Sequence, residues 1–258
     1  MSAMDGLVLL LVVAGAVGYA IALGAARHRG RWPALRTLCW YAGLVCAGAG
    51  MVSPVAAAAH TSFTAHMAGH LLLGMLAPLL LVLAAPITVV LRALPVDAAR
   101  ALSRVLRTWF VRTLTRPIVA ATLNAGGLWA LYATPVYHLM HHSMLLHVVV
   151  HAHMFVAGCL FTASLVSPDP MPHRASFWMR SSVLIVYIAA HSILAKWLYA
   201  HPPAGVGLGD GQAGAQLMYY GGDVVDVALI VLLFAGWYAA ARPRAPRVTV
   251  PIVTATDG

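Results

Sequence analysis

Apolar residues gather along the chain into seven stretches, near positions 4–26, 36–56, 65–92, 117–134, 144–166, 178–200 and 214–241, and most charged residues fall between them. Each is close to the length of about 20 residues that an α-helix needs to cross the hydrocarbon core of a bilayer. The pattern predicts an all-α membrane protein, a seven-transmembrane-helix bundle forming one domain over residues 1–241. The first stretch ends in "ALGAA", which resembles a signal-peptide cleavage site. Its start carries Asp5 and no basic residue, and "RHRGRW" follows directly, so it reads as a retained span. Between the third and fourth stretches, "ALPVDAARALSRVLRTWFVRTLTR" sets arginines among apolar residues at helical spacing. That spacing predicts an interfacial helix over about 96–114, lying on anionic lipid. Residues 242–258 are Pro-rich and polar and are expected to form a flexible tail.

Composition agrees with this reading. Hydrophobic residues make up 61% and charged residues 9% of the 258 positions, against roughly 25% charged in an ordinary soluble domain. A net charge of +9 would suggest a nucleic-acid partner in a soluble chain; here its placement argues for topology instead, and no nucleic acid is expected. With seven spans, 15 of the 16 Lys and Arg residues fall on one side, leaving only Lys196 near the other. The positive-inside bias makes that side cytoplasmic, with the N-terminus outside and the C-terminus cytoplasmic. Cys39, Cys46 and Cys159 show no CxxC spacing and read as small core residues.

The histidines are the informative chemistry. His28 and His173 sit in arginine-rich loops, but the other eleven gather toward the outer side. His60, His66 and His70 lead into the third stretch. His138, His141 and His142 precede the fifth, and His147, His151 and His153 begin it. His191 and His201 lie at the end of the sixth. At about 1.5 Å per residue, His151 and His191 lie roughly 10–14 Å below the outer surface, with His70 at a similar level. The pairs His66/His70 and His147/His151 are spaced i, i+4, which stacks two imidazoles on one helix face. A lone buried His such as His153 reads more simply as a hydrogen-bonded core residue, and the loop histidines as solvated ones. Two such pairs on separate helices point to ligation of a metal or haem. Met67, Met140, Met144, Met154 and Met218 lie in or near the same half, and thioether with imidazole favours Cu(I). Neither pair carries the Glu of HExxH, and there is no GxSxG and no Gly-rich phosphate loop, so no enzyme is expected. Asp223 and Asp226, within an apolar stretch, should face a partner, water or an ion.

The run "HMAGHLLLGMLAPLLLVLAAPITVVLRALP" resembles the signature of CtaG-type cytochrome c oxidase assembly factors, in which HMxxH leads into LLxxxxPLLL and a second proline. "LLHVVVHAHMFVAGCLF", "SPDPMPHR" and "DGQAGAQLMYYGGDVVD" are similar to further segments of that family, in the expected order from about His60 to Trp237. The resemblance implies a bacterial inner-membrane protein that assists maturation of a haem-copper oxidase, with the oxidase subunits as partners and copper handled on the outer face. Carried over by residue, the ligands would be His66, His70, His147, His151 and His191, with Met218 and Asp223 as weaker matches. His60, His142, His153 and Met67 are possible additions. Val150 and "GDGQAG" at 209–214 depart from the family pattern and leave Asp210 and Gln212 without settled equivalents. Pro78 and Pro86 are expected to bend the third span. Asp223 is expected to orient a ligating histidine, and Asp226, one turn deeper, to serve packing. Two other readings stand beside this one. A bis-His haem protein for electron transfer fits the same pairs; a metal or proton transporter would use Asp223, Asp226 and Lys196 but lacks an inverted repeat.

Overall fold

The computed structural model describes residues 3–52, 57–59, 61–171 and 173–241. His60 and the tail 242–258 lie outside the described residues, as does the His141 side chain. Helices occupy all seven apolar stretches, and no strand occurs among the described residues. In chain order they are α1 (Ala3–Ala26), α2 (Ala34–Met51), α3 (Phe63–His70), α4 (Ala77–Leu83), α5 (Pro86–Ala93), α6 (Val96–Leu106) and α7 (Trp109–Leu114). There follow α8 (Pro117–Ala133), α9 (Val136–His142), α10 (Met144–Val166), α11 (Phe177–Ala200) and α12 (Leu208–Ala241). Five segments are long and apolar enough to cross a membrane: Asp5–Arg29, Phe63–Leu83, Met144–Val166, Phe177–Ala200 and Leu208–Ala241. The other two, α2 with 18 residues and α8 with 17, stand at the short end of the roughly 17–25 residues a span uses.

The single interfacial helix expected over 96–114 is broken into α6 and α7. Thr108 takes an extended conformation (ψ 153°) while its hydroxyl donates to the Val105 carbonyl at 2.7 Å. A side chain that bonds its own backbone competes with helix continuation there.

The segment from Phe63 to Leu83 is the centre of the bundle: 61% of its apolar window is buried, against 6–33% for the other four candidate spans. It packs against α2, α10 and α12. Its bend differs from a simple proline kink. Pro78 has no N–H to offer the Gly74 carbonyl, and the turn before it widens into a π-helix, Leu71–Leu76. Farther along, Ala85 adopts a left-handed conformation (φ 52°) directly before Pro86, which opens α5. The residue before a proline is disfavoured in the right-handed helical region, so the chain turns there.

Two glycines let α10 reach this π turn. A β-carbon on Gly158 would run into the Gly74 carbonyl oxygen and would lie 2.9 Å from Pro78 Cγ. The backbones therefore touch, with His70 one turn from the contact and His151 about two turns from it on the facing helix.

Candidate metal centre

The helix that carries His66 and His70 is held at its start by a residue from the last helix. The Asp210 carboxylate accepts the Phe63 N–H at 2.6 Å, the Thr64 N–H at 3.0 Å, the Thr64 hydroxyl at 2.6 Å and the Ser62 hydroxyl at 3.0 Å. The Ser62 oxygen in turn accepts the Ala65 N–H at 3.3 Å. Free N–H groups at a helix start are thus satisfied by an anion, the charge that a helix N-terminus favours. Asp169 does the same for α5, accepting the Thr88 N–H at 2.7 Å, the Thr88 hydroxyl at 2.5 Å and the Ile87 N–H at 3.2 Å.

Below Asp210, His66 is 5% exposed and sits among rings: its centroid lies 5.1 Å from that of Tyr137, 6.2 Å from Phe63 and 6.5 Å from His151. Its Nε2 lies 3.1 Å from the Tyr132 hydroxyl, which also reaches Met67 Sδ at 3.9 Å. Burial, and then the nearby Asp210 carboxylate, pushes the Tyr137 hydroxyl up to about 12, so it stays protonated. On α10, His147 and His151 stack with centroids 4.2 Å apart, and His151 Nδ1–H donates to the His147 carbonyl at 2.9 Å. That bond fixes the tautomer and leaves the His151 lone pair on Nε2, a usual arrangement for a ligating imidazole.

One turn deeper lie His70 on α3 and His191 on α11, both buried, with ring centroids 6.2 Å apart. Both ring nitrogens of His70 and Nε2 of His191 are buried without a hydrogen-bond partner. Such orphaned polar atoms are uncommon and call for a ligand or water. The ring separation suits a shared ion, given metal–imidazole bonds of about 2.0–2.1 Å. Among the described residues, however, no three His, Cys, Asp or Glu side chains already converge on one point. The donors stand in pairs, linking α3 to α10 and α3 to α11. Thioethers surround them: Met67, Met140, Met154 and Met218 are buried in one cluster with Tyr132 and Tyr137, whereas Met144 is 63% exposed. Imidazole pairs among buried thioethers are a donor set that fits Cu(I).

Other sequence-predicted residues fall outside this layer. His153 is exposed and donates to the Leu123 carbonyl at 3.0 Å, with its ring against Gly127. His142 pairs with His138 on the exposed face of α9, Nε2 to Nε2 at 3.4 Å. Of the two aspartates, Asp223 is half-buried, whereas Asp226 is 2% exposed and neither of its oxygens has a partner. The rotation of α12 explains this. Gly222 presses on His191, a β-carbon there falling 2.5 Å from its Cε1, and Asp226 shares the face of Gly222 at i+4. It therefore points at the α11 face that carries Tyr187, whose hydroxyl accepts the Asn124 amide at 3.3 Å.

Buried histidine pairs and thioethers near one end of an all-helical integral membrane protein define a candidate metal-handling membrane protein. The chain belongs to the cytochrome c oxidase caa3 assembly factor family, whose profile matches residues 17–240. Uncharacterized proteins of Mycobacterium bovis and Mycobacterium tuberculosis are each 32% identical over 202 residues, covering 73% of this chain. One of Mycobacterium leprae is 26% identical over 196 residues. The chain spans 30% of the length of these relatives. No solved structure matches it.

Proposed function

We propose that this chain is a copper carrier in the assembly of cytochrome c oxidase, without catalytic turnover. It would hold Cu(I) in a seven-span bundle at the arginine-poor, periplasmic end of a bacterial inner membrane and pass it to the oxidase subunits. The observation that carries this reading is the pair His70 and His191, whose buried ring nitrogens lack any hydrogen-bond partner, inside a member of an oxidase assembly family. His66, His147 and His151 form the approach to that pair from the surface. Met67 and Met218, each fully buried, supply thioethers for the reduced ion. Asp210 positions α3, and Asp223, half-buried on α12, orients a ligating imidazole.

Metal analysis of purified protein after Cu(I) titration tests the proposal. The wild type should retain copper. His70→Ala/His191→Ala should lose it, and His66→Ala/His147→Ala should take it up more slowly or less tightly. Equal copper in all three proteins would overturn the assignment. The same samples address the haem reading, which requires a Soret band that disappears in His70→Ala.

A further inference from the structure

A cavity of about 450 Å³ opens at the arginine-rich end of the bundle, among α2, the break between α4 and α5, α7 and α10. Its wall is apolar, with Trp40, Leu81, Leu106, Phe155, Cys159 and Leu160. The volume lies in the range of about 300–1,000 Å³ typical of small-molecule sites. Arg112 and His173 bring basic groups to this wall, and the Arg112 Nε is buried without a hydrogen-bond partner. Asp169 is the acid of the same wall, but its two oxygens are engaged by Thr88 and Ile87. Among the described residues the ion pair of this region is Arg100–Asp97 at 3.3 Å, which leaves Arg112 aside.

The neighbouring helices give the depth of the cavity mouth. Along α6 and α7, Val105, Trp109 and Phe110 are exposed at 55%, 69% and 63%, alternating with Arg104, Arg107 and Arg112. Exposed aromatics interleaved with arginines are the mark of a segment seated at the headgroup level. The cavity therefore opens where lipid phosphates lie, with its apolar interior toward the acyl chains.

We propose that this cavity holds one anionic phospholipid, an acyl chain along Cys159 and Leu160 and the phosphate on Arg112. Arg112 lines the cavity and no carboxylate pairs with it among the described residues, and a guanidinium is suited to phosphate oxygens. The clustered Arg107, Arg112 and Arg116 favour a net-negative headgroup over one that carries a quaternary ammonium. The site lies at the end of the bundle opposite the histidines and stands whether or not they bind copper.

The test uses the full chain purified in detergent and mixed with dioleoyl phosphatidylglycerol or dioleoyl phosphatidylcholine. Native mass spectrometry reads retained lipid, and thermal melting reads the stabilisation it confers. The wild type should retain one phosphatidylglycerol in preference to phosphatidylcholine by about fivefold, the scale of one basic residue's attraction for a net-negative headgroup. Arg112→Gln should bring that ratio close to one. Ala163→Phe, which fills the cavity and keeps the arginine, should lose both lipids. Each ratio is internal to one variant, so a general loss of stability does not mimic the result, and the Ala163→Phe arm decides the matter if Arg112→Gln fails to insert. A wild-type ratio near one, a ratio unchanged in Arg112→Gln, or undiminished retention in Ala163→Phe would overturn the proposal.

Discussion

Replacing Gly222 with alanine separates a ligating His191 from a passive one. A β-carbon at this position would stand 2.5 Å from His191 Cε1 and 3.1 Å from Nδ1, against about 3.5–4.0 Å for carbons in contact. The ring must therefore move by about 1 Å, whereas functional geometry tolerates about 0.5 Å. Helix propensity favours alanine by roughly 0.5–1 kcal/mol, and overpacking costs about 1–3 kcal/mol. The net loss of stability then falls between about zero and 2.5 kcal/mol, which a well-packed membrane bundle survives. Copper affinity should fall by about 100-fold, the usual consequence of a displacement of this size at a functional site. Competition with a chromogenic Cu(I) chelator measures the affinity, and thermal melting measures the fold. Gly236→Ala is the control, because an added β-carbon there meets nothing within 4 Å, and it should bind as the wild type does. A Gly222→Ala protein that melts normally and holds copper as tightly as the wild type would refute the role given to His191.

Three further outcomes are expected. Asp210→Ala should lower stability by about 1–2 kcal/mol, the worth of a helix cap, and an unchanged melting temperature would show that water replaces the carboxylate at the start of α3. Asp223→Asn should weaken copper binding by about 10–100-fold while Asp226→Asn, whose carboxylate meets no hydrogen-bond partner, leaves it nearly unaltered; the reverse order would move the orienting role to Asp226. Ligation needs neutral imidazole, whose ordinary pKa is about 6.5, so copper should be held at pH 7.5 and released progressively as pH falls through that value. Retention that is level even in acid of about pH 2, where any imidazole is protonated, would remove histidine from the site.

The helices were legible because an apolar stretch of span length has few other uses, and every stretch read from the sequence is helical. The histidine pairs were legible for the same kind of reason, since i, i+4 spacing fixes a shared face wherever the helix sits. His153, kept from the sequence among the possible additions, lies two residues, and so about 200° of rotation, from His151, and the structure sets it on another face. The rest depended on partners distant in sequence. Capping rules inspect the next three or four residues, and neither Asp169 nor Asp210 lies near the helix it caps. Pro78 announced a bend, but not the backbone contact of Gly158 with the π turn before it, which no local pattern encodes. That Asp226 is buried more deeply than Asp223 required the rotation of α12, seen in the contact between Gly222 and His191.

The two distant caps also set an order of events during synthesis. Thr88 meets Asp169 across 81 positions, and Thr64 meets Asp210 across 146; in both cases the acid follows the helix it closes. When residues 63–93 leave the ribosome, the starts of α3 and α5 carry bare N–H groups. Until the acid arrives, such groups must be met by water or another side chain. The cap on α5 arrives after the fifth apolar stretch, and the cap on α3 only as the seventh begins. At about 5–20 residues per second the histidine-bearing helix waits roughly 7–30 s for its carboxylate. The bundle is thus closed in sequence, from its arginine-rich end toward its histidines, and the carboxylate that closes the histidine-bearing helix arrives together with the last helix.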